Sequence, residues 1–215
     1  MNKNLTEVVF ILDRSGSMSN LEEDTIGGYN SLLEKQQKEE GEAVITTVLF
    51  DDKYDMLHDH ADVKKVKQIT SKEYFARGMT ALLDAVGKTI NHVGKRHKYA
   101  PDNEIPARTL VVIITDGFEN ASREFSQPQI KSMIEHQKEK YGWEFLFLGA
   151  NIDAVETANT YGICADRAVT YEADELGTRM NFDVVSRTVS AVRMAQPLGA
   201  DWKEDIEKRF KKKIR

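Results

Sequence analysis

The chain is poor in the residues that mark specialised protein classes. It has a single cysteine, Cys164, in 215 residues, so no intramolecular disulfide can form. Its 4 prolines and 13 glycines are too few for a collagen-like or Pro/Gly low-complexity chain. No apolar run approaches the roughly 18 residues that a membrane helix needs; the longest strongly apolar stretch is Leu110 to Ile114. The stretch from Met1 to Asn30 lacks the basic start, apolar centre and small-residue cleavage site of a secretory signal, so the cytoplasm is the expected compartment. An excess of positive charge is missing too. The net charge of −5 argues against general binding to nucleic-acid phosphates.

What is present is a globular composition. With 40% hydrophobic and 30% charged residues, a chain of this length has material for one large α/β domain and little for a second core. Charge is unevenly placed. Lys208, Arg209, Lys211, Lys212, Lys213 and Arg215 crowd the last eight residues, and subtracting those six from the total of −5 leaves the first 207 residues at −11. The expected organisation is a domain over 1–195 followed by a basic tail or helix over 196–215. Trp202, Ile206 and Phe210 fall at helical spacing in that tail, which suits a docked amphipathic helix, whereas the charge alone would also suit contact with nucleic acid, an acidic partner or the domain's own acidic surface.

The apolar run Val8 to Leu12 reads as a strand buried on both faces and stops at Asp13; Thr109 to Thr115 repeats the pattern and stops at Asp116. Ser19 stands three residues before Glu22, a capping-box spacing that predicts a helix ending near Gly41. Ala43 to Phe50 and Lys53 to Leu57 predict an antiparallel hairpin at a sheet edge. Thr80 opens a helix expected to end near Gly94, and Ser126 with Pro128 and Gln129 opens another. Strand signals at 143–148 and 168–171, with helices around 154–161 and along Phe182, Val185, Val189 and Val192, complete the alternation. The fold class that follows is doubly wound α/β: a mostly parallel sheet covered by helices on both faces, with one antiparallel edge hairpin. In such sheets ligands bind beyond the carboxyl ends of the strands, where Asp13 and Asp116 stand.

Asp13-Arg14-Ser15-Gly16-Ser17 sets a carboxylate and two hydroxyls at alternate positions in a turn. Thr80 adds a hydroxyl at a helix start, and Asp116-Gly117 adds a second carboxylate. Oxygen donors without His or Cys suit a hard cation, Mg²⁺ first, with Mn²⁺ or Ca²⁺ as further candidates. Taken singly, Asp-Gly and Ser-Gly are also ordinary turn formers.

Taken together and in this order, D-x-S-x-S, a later threonine and a strand-end aspartate closely resemble the von Willebrand factor type A domain and its metal-ion-dependent adhesion site. The resemblance covers roughly residues 5 to 195. It implies that Ser15, Ser17 and Thr80 contact a divalent cation directly or through water, that Asp13 and Asp116 hold it mostly through coordinated waters, and that one coordination position stays open for an Asp or Glu of a partner protein. Met79 and Phe118 depart from what is common beside these positions and change the rim of the site.

The function expected on this resemblance is a cation-dependent protein-recognition module without catalysis, with oligomeric state undetermined. Two alternatives belong to other classes. A metal-dependent phosphoryl hydrolase of the haloacid dehalogenase type would use a strand-end aspartate as nucleophile, but Ser15 stands where the second acid of its D-x-D would be. A subunit of an AAA-type ATPase or stress-response complex would keep the recognition role inside a larger assembly. No P-loop, dinucleotide-binding glycine motif, nucleophile elbow or H-E-x-x-H is present. His58 and His60, two apart on a predicted strand, share a face and read as a solvated edge pair or half of a transition-metal site. Cys164, beside Ile163 and Ala165, is expected to pack as a small buried residue.

Overall fold

The computed structural model describes residues 1–213; Ile214 and Arg215, the end of the basic tail, lie outside the described residues. The chain runs β1 (Asn2–Asp13), α1 (Glu22–Lys38), β2 (Glu42–Phe50), β3 (Tyr54–Asp62), α2 (Leu82–Tyr99), β4 (Pro106–Thr115), α3 (Gln127–Tyr141), β5 (Glu144–Ala150), α4 (Ala154–Thr160), β6 (Ala168–Tyr171), α5 (Glu175–Arg193) and α6 (Glu204–Lys213). The strands form one six-stranded sheet in the order β3-β2-β1-β4-β5-β6, parallel throughout except for the antiparallel β2 and β3 pair at one edge. The doubly wound α/β class with an antiparallel edge hairpin is therefore the observed fold.

Strand β1 is apolar on both faces because both faces are covered. Val8, Phe10 and Leu12 pack on α1 and α5 through Tyr29, Leu33, Phe182 and Val185; Val9 and Ile11 pack on α2 and α3 through Val86, Ile90, Ile130 and Ile134. From β1 the chain first builds outward through β2 and β3, then crosses to β4 on the other side. The gap between the carboxyl ends of β1 and β4 is thus the topological switch point where α/β sheets open a binding crevice.

The capping box at α3 is as expected, with Ser126 and Gln129 satisfying each other's backbone, and the helix stops at Gly142 in the left-handed conformation (φ 65°). Four other expectations are corrected. First, α1 starts at Glu22 and not at Ser19: a 3-10 turn over Gly16–Met18 comes first, and Ser19 Oγ donates to Gly16 O at 2.7 Å instead of capping the helix. Second, α2 runs past Gly94 to Tyr99, since a glycine inside a long amphipathic helix weakens it without ending it.

Third, His58 and His60 do not share a face. Register shifts against β2 place a bulge between them, with His60 at φ 50°. His58 Nδ1 meets Tyr29 Oη at 3.3 Å on the α1 side, whereas His60 Nδ1 lies 3.5 Å from Glu7 Oε2 on the α2 side. Fourth, Cys164 is exposed; Ile163 takes the buried position, and Lys138 Nζ stands 3.7 Å from Cys164 Sγ.

Helix α6 lies against β6 and α5. Ile206 enters the core, Trp202 Nε1 donates to Asp166 O at 2.8 Å, and Arg209 reaches Asp174 at 2.7 Å and Glu172 at 3.0 Å. Among the described residues no helix is long and apolar enough to cross a membrane.

Candidate metal centre

The five residues singled out by sequence come from three separate segments: Asp13, Ser15 and Ser17 from the end of β1 and its turn, Thr80 from the approach to α2, and Asp116 from the end of β4. All five meet at the switch point. Ser15 Oγ and Ser17 Oγ are 3.0 Å apart, and Ser17 Oγ donates to Asp116 Oδ1 at 2.5 Å. Thr80 joins them across Gly117: a Cβ built there would lie 3.3 Å from Ser17 Oγ and 3.4 Å from Thr80 Oγ1, so glycine keeps that space open between two hydroxyls. Ser17 is exposed while Asp13, Ser15, Thr80 and Asp116 are buried, so the cluster opens to solvent on the Ser17 side.

Backbone turns hold the donors in place. Asp13 Oδ1 accepts from Ser15 N at 2.7 Å, an Asx-type turn that folds the chain back over the strand end, and Asp13 Oδ2 accepts from Thr115 Oγ1 at 2.6 Å. Gly16 N donates to Gly78 O at 3.1 Å, tying the serine turn to the threonine loop; Gly78 is left-handed (φ 67°) and a Cβ there would strike Asp52.

Several supporting residues escaped sequence reasoning because their partners are far away in the chain. Asn120 clamps the threonine loop, accepting from Thr80 N at 2.9 Å through its side chain and donating its own N–H to Thr80 O at 3.0 Å. Tyr74 Oη donates to Asp13 O at 2.5 Å from beneath. Asp84, in the first turn of α2, accepts from Arg123, Glu124 and Phe125 N–H groups at 2.9 Å each and pins the loop after Asp116.

The electrostatics are lopsided. Burial pushes the Asp13 carboxyl up to about 6 against the hydrogen bonds from Thr115 and Ser15, and repulsion from Asp116 adds to the rise. Burial also raises Asp116, opposed by its bond from Ser17. Neither carboxylate has a cationic partner among the described residues. The adjacent Arg14 turns the other way, onto Asp51 at 2.9 Å and onto Asp55, and Arg77 is likewise held by Asp51 at 2.7 Å. Among the described residues no group of three or more His, Cys, Asp or Glu is arranged to hold a metal. This cluster is of another make: two carboxylates and three hydroxyls, an all-oxygen set that fits a hard dication.

Two exposed apolar side chains flank its residues in the chain: Phe118 is 66% exposed two residues beyond Asp116, and Met79 is 52% exposed beside Thr80. Phe75 is 40% exposed under the Arg14 and Arg77 guanidinium groups.

No protein-family model matches the chain, and no curated protein matches it. Solved structures do. A mutant of the PilB minor pilin from Streptococcus sanguinis superimposes with a TM-score of 0.61 at 10% identity, covering 92% of this chain and 64% of that one. Proximal thread matrix protein 1 from the mussel byssus, with a zinc-occupied MIDAS motif, gives 0.58 at 14% identity, over 87% of this chain and 46% of that one. A von Willebrand factor type A protein from Catenulispora acidiphila gives 0.57 at 13% identity, over 86% and 42%. The fold is thus von Willebrand factor type A-like, and the chain spans 64% or less of the length of each of these proteins.

Proposed function

We propose that this chain is a divalent-cation-dependent protein-recognition module, in which Asp13, Ser15, Ser17, Thr80 and Asp116 hold Mg²⁺, or Mn²⁺ in its place, and a partner's Asp or Glu carboxylate completes the site. The observation that carries the reading is the pair of buried carboxylates, Asp13 and Asp116, that face three hydroxyls while the Arg14 and Arg77 guanidinium groups are committed to Asp51 and Asp55. Buried negative charge of this kind calls for a compensating cation.

When bound, the dication supplies a charge-assisted anchor point for an incoming carboxylate. This chain's residues do the rest. Asn120 and Tyr74 fix the loops, Ser17 gives access from solvent, and Met79 and Phe118 offer apolar area beside the anchor point. A non-catalytic role is part of the proposal. The haloacid dehalogenase alternative requires a second acid two residues after the strand-end aspartate, and Ser15 stands there.

The test is a thermal melt of EDTA-stripped protein with and without Mg²⁺ or Mn²⁺, on wild type and on Asp13→Asn. A metal at about 100 times its Kd adds ~2.7 kcal/mol. In a domain of this size that is a rise of roughly 5 to 10 °C. The expected result is a rise in wild type and none in the variant; wild type without a shift at millimolar metal would overturn the reading.

A further inference from the structure

At the opposite end of the sheet, a cleft of about 560 Å³ opens between the last turns of α2 and α3, over the starts of β4 and β5. We propose that it binds a small planar aromatic anion, a one- or two-ring compound bearing a carboxylate, sulfonate or phosphate. The volume falls in the range of small-molecule sites.

Its walls are aromatic. Tyr99 and Tyr141 stand at the mouth, 71% and 55% exposed, with His136 edge-on to Tyr141 at 5.7 Å between ring centres, and buried Trp143 forms the floor. Two tyrosines left in water at one opening offer flat faces for a ring and a hydroxyl each for its substituents.

The charge of the cleft runs against that of the protein. Acids outnumber bases in the chain, yet no Asp or Glu lines this cleft, whereas Lys95, Lys98 and His136 do. Neither lysine forms an ion pair with a described carboxylate, and Lys98 Nζ rests 5.3 Å from the centre of the Tyr99 ring. His97 is not available as a donor through Nε2, which sits 2.6 Å from Glu7 Oε2; its ring packs edge-on against Trp143. The carboxyl-terminal ends of the α2 and α3 dipoles bring partial negative charge to this end of the helices. The two lysines are therefore what makes the cleft attractive to an anion, and reversing them is the decisive variant.

Anilinonaphthalene sulfonate, an aromatic anion whose fluorescence reports transfer from water, is the probe. The expected result is one saturable site per chain, unaffected by EDTA or Asp116→Asn, with energy transfer from tryptophan that falls far more in Trp143→Phe than in Trp202→Phe. Tyr99→Ala with Tyr141→Ala, and Lys95→Glu with Lys98→Glu, should each weaken binding by about tenfold or more. All four side chains are at the surface, so an unchanged melting transition checks that each variant is folded. Equal affinity for the uncharged ring analogue phenylnaphthylamine, wild-type binding by the charge-reversed variant, or no saturable binding at all would overturn the proposal.

Discussion

Ser17 Oγ donates to Asp116 Oδ1 at 2.5 Å across 99 residues of sequence, closing the candidate centre between the turn after β1 and the end of β4. Asp116 is buried, its carboxyl is raised by that burial, and among the described residues no cation pairs with it. Stability and metal response should therefore separate. Asp116→Asn removes a buried charge, so the EDTA-treated variant is expected to melt at or above the temperature of EDTA-treated wild type while losing the rise that Mg²⁺ gives. Paired melts check this; a variant less stable than wild type without metal and still responsive with it would contradict both halves.

Arg14 follows Asp13 directly yet serves another site. Its Nε reaches Asp51 at 2.9 Å, both side chains are buried, and Lys53 N adds a bond to Asp51 at 2.7 Å. Asp51→Ala would leave the Arg14 guanidinium buried without that partner, a situation that costs about 3 to 5 kcal/mol. Arg77→Ala removes a more exposed partner of the same carboxylate and should cost about 1 kcal/mol or less. Urea midpoints measure the difference, and equal effects from the two variants would show that the pair is not the buried anchor described.

How much of this was legible in the sequence depends on where each interaction reaches. Asp13, Ser15 and Ser17 lie within five residues, and the strand-end positions of Asp13 and Asp116 follow from apolar runs that stop abruptly, so the donors could be named. Their clamps could not. Asn120 meets Thr80 40 residues away and Tyr74 meets Asp13 across 61, distances over which no periodicity speaks. Local chemistry misled where geometry intervened. Ser19 has the spacing of a helix cap, but the 3-10 turn before it spends its hydroxyl on Gly16. His58 and His60 alternate in sequence, but the bulge turns them to opposite faces.

Glu7 is the least expected residue of the fold, an acid without solvent exposure in the middle of the sheet. Thr46 and Arg96 bond Oε1 at 2.8 and 2.9 Å, and His97 bonds Oε2 at 2.6 Å with His60 nearby. Burial works to raise its carboxyl, but the hydrogen bonds from His60 and His97 and the charges of His97 and Arg96 outweigh it and hold it far below the ordinary value of 4.5. A carboxyl depressed in the folded state contributes stability above its unfolded value and loses it as pH falls. Wild type should therefore lose stability between about pH 5 and 3 by an increment that Glu7→Gln lacks. Denaturant titrations across that range test the sign; parallel curves for the two proteins would refute it.

Two adjacent glycines in α1 should respond in opposite ways to the same substitution. Gly28 is buried where α1 meets α5, and a Cβ built on it would fall 2.3 Å from Phe182 Cδ2, so the helices approach closely only because that atom is missing. Gly28→Ala forces Phe182 or the helix pair to move, at a cost of about 1 to 3 kcal/mol. Gly27, one residue earlier, is exposed and a Cβ there meets nothing within 4 Å. Gly27→Ala relieves the backbone entropy penalty of a mid-helix glycine and should stabilise the protein by up to about 1 kcal/mol. Because the two positions share one helix and one mutation type, helix propensity is held constant and the difference isolates the close approach of α1 to α5. Chemical denaturation of both variants measures it, and a stabilising Gly28→Ala would mean that α1 and α5 sit farther apart than the Phe182 contact requires.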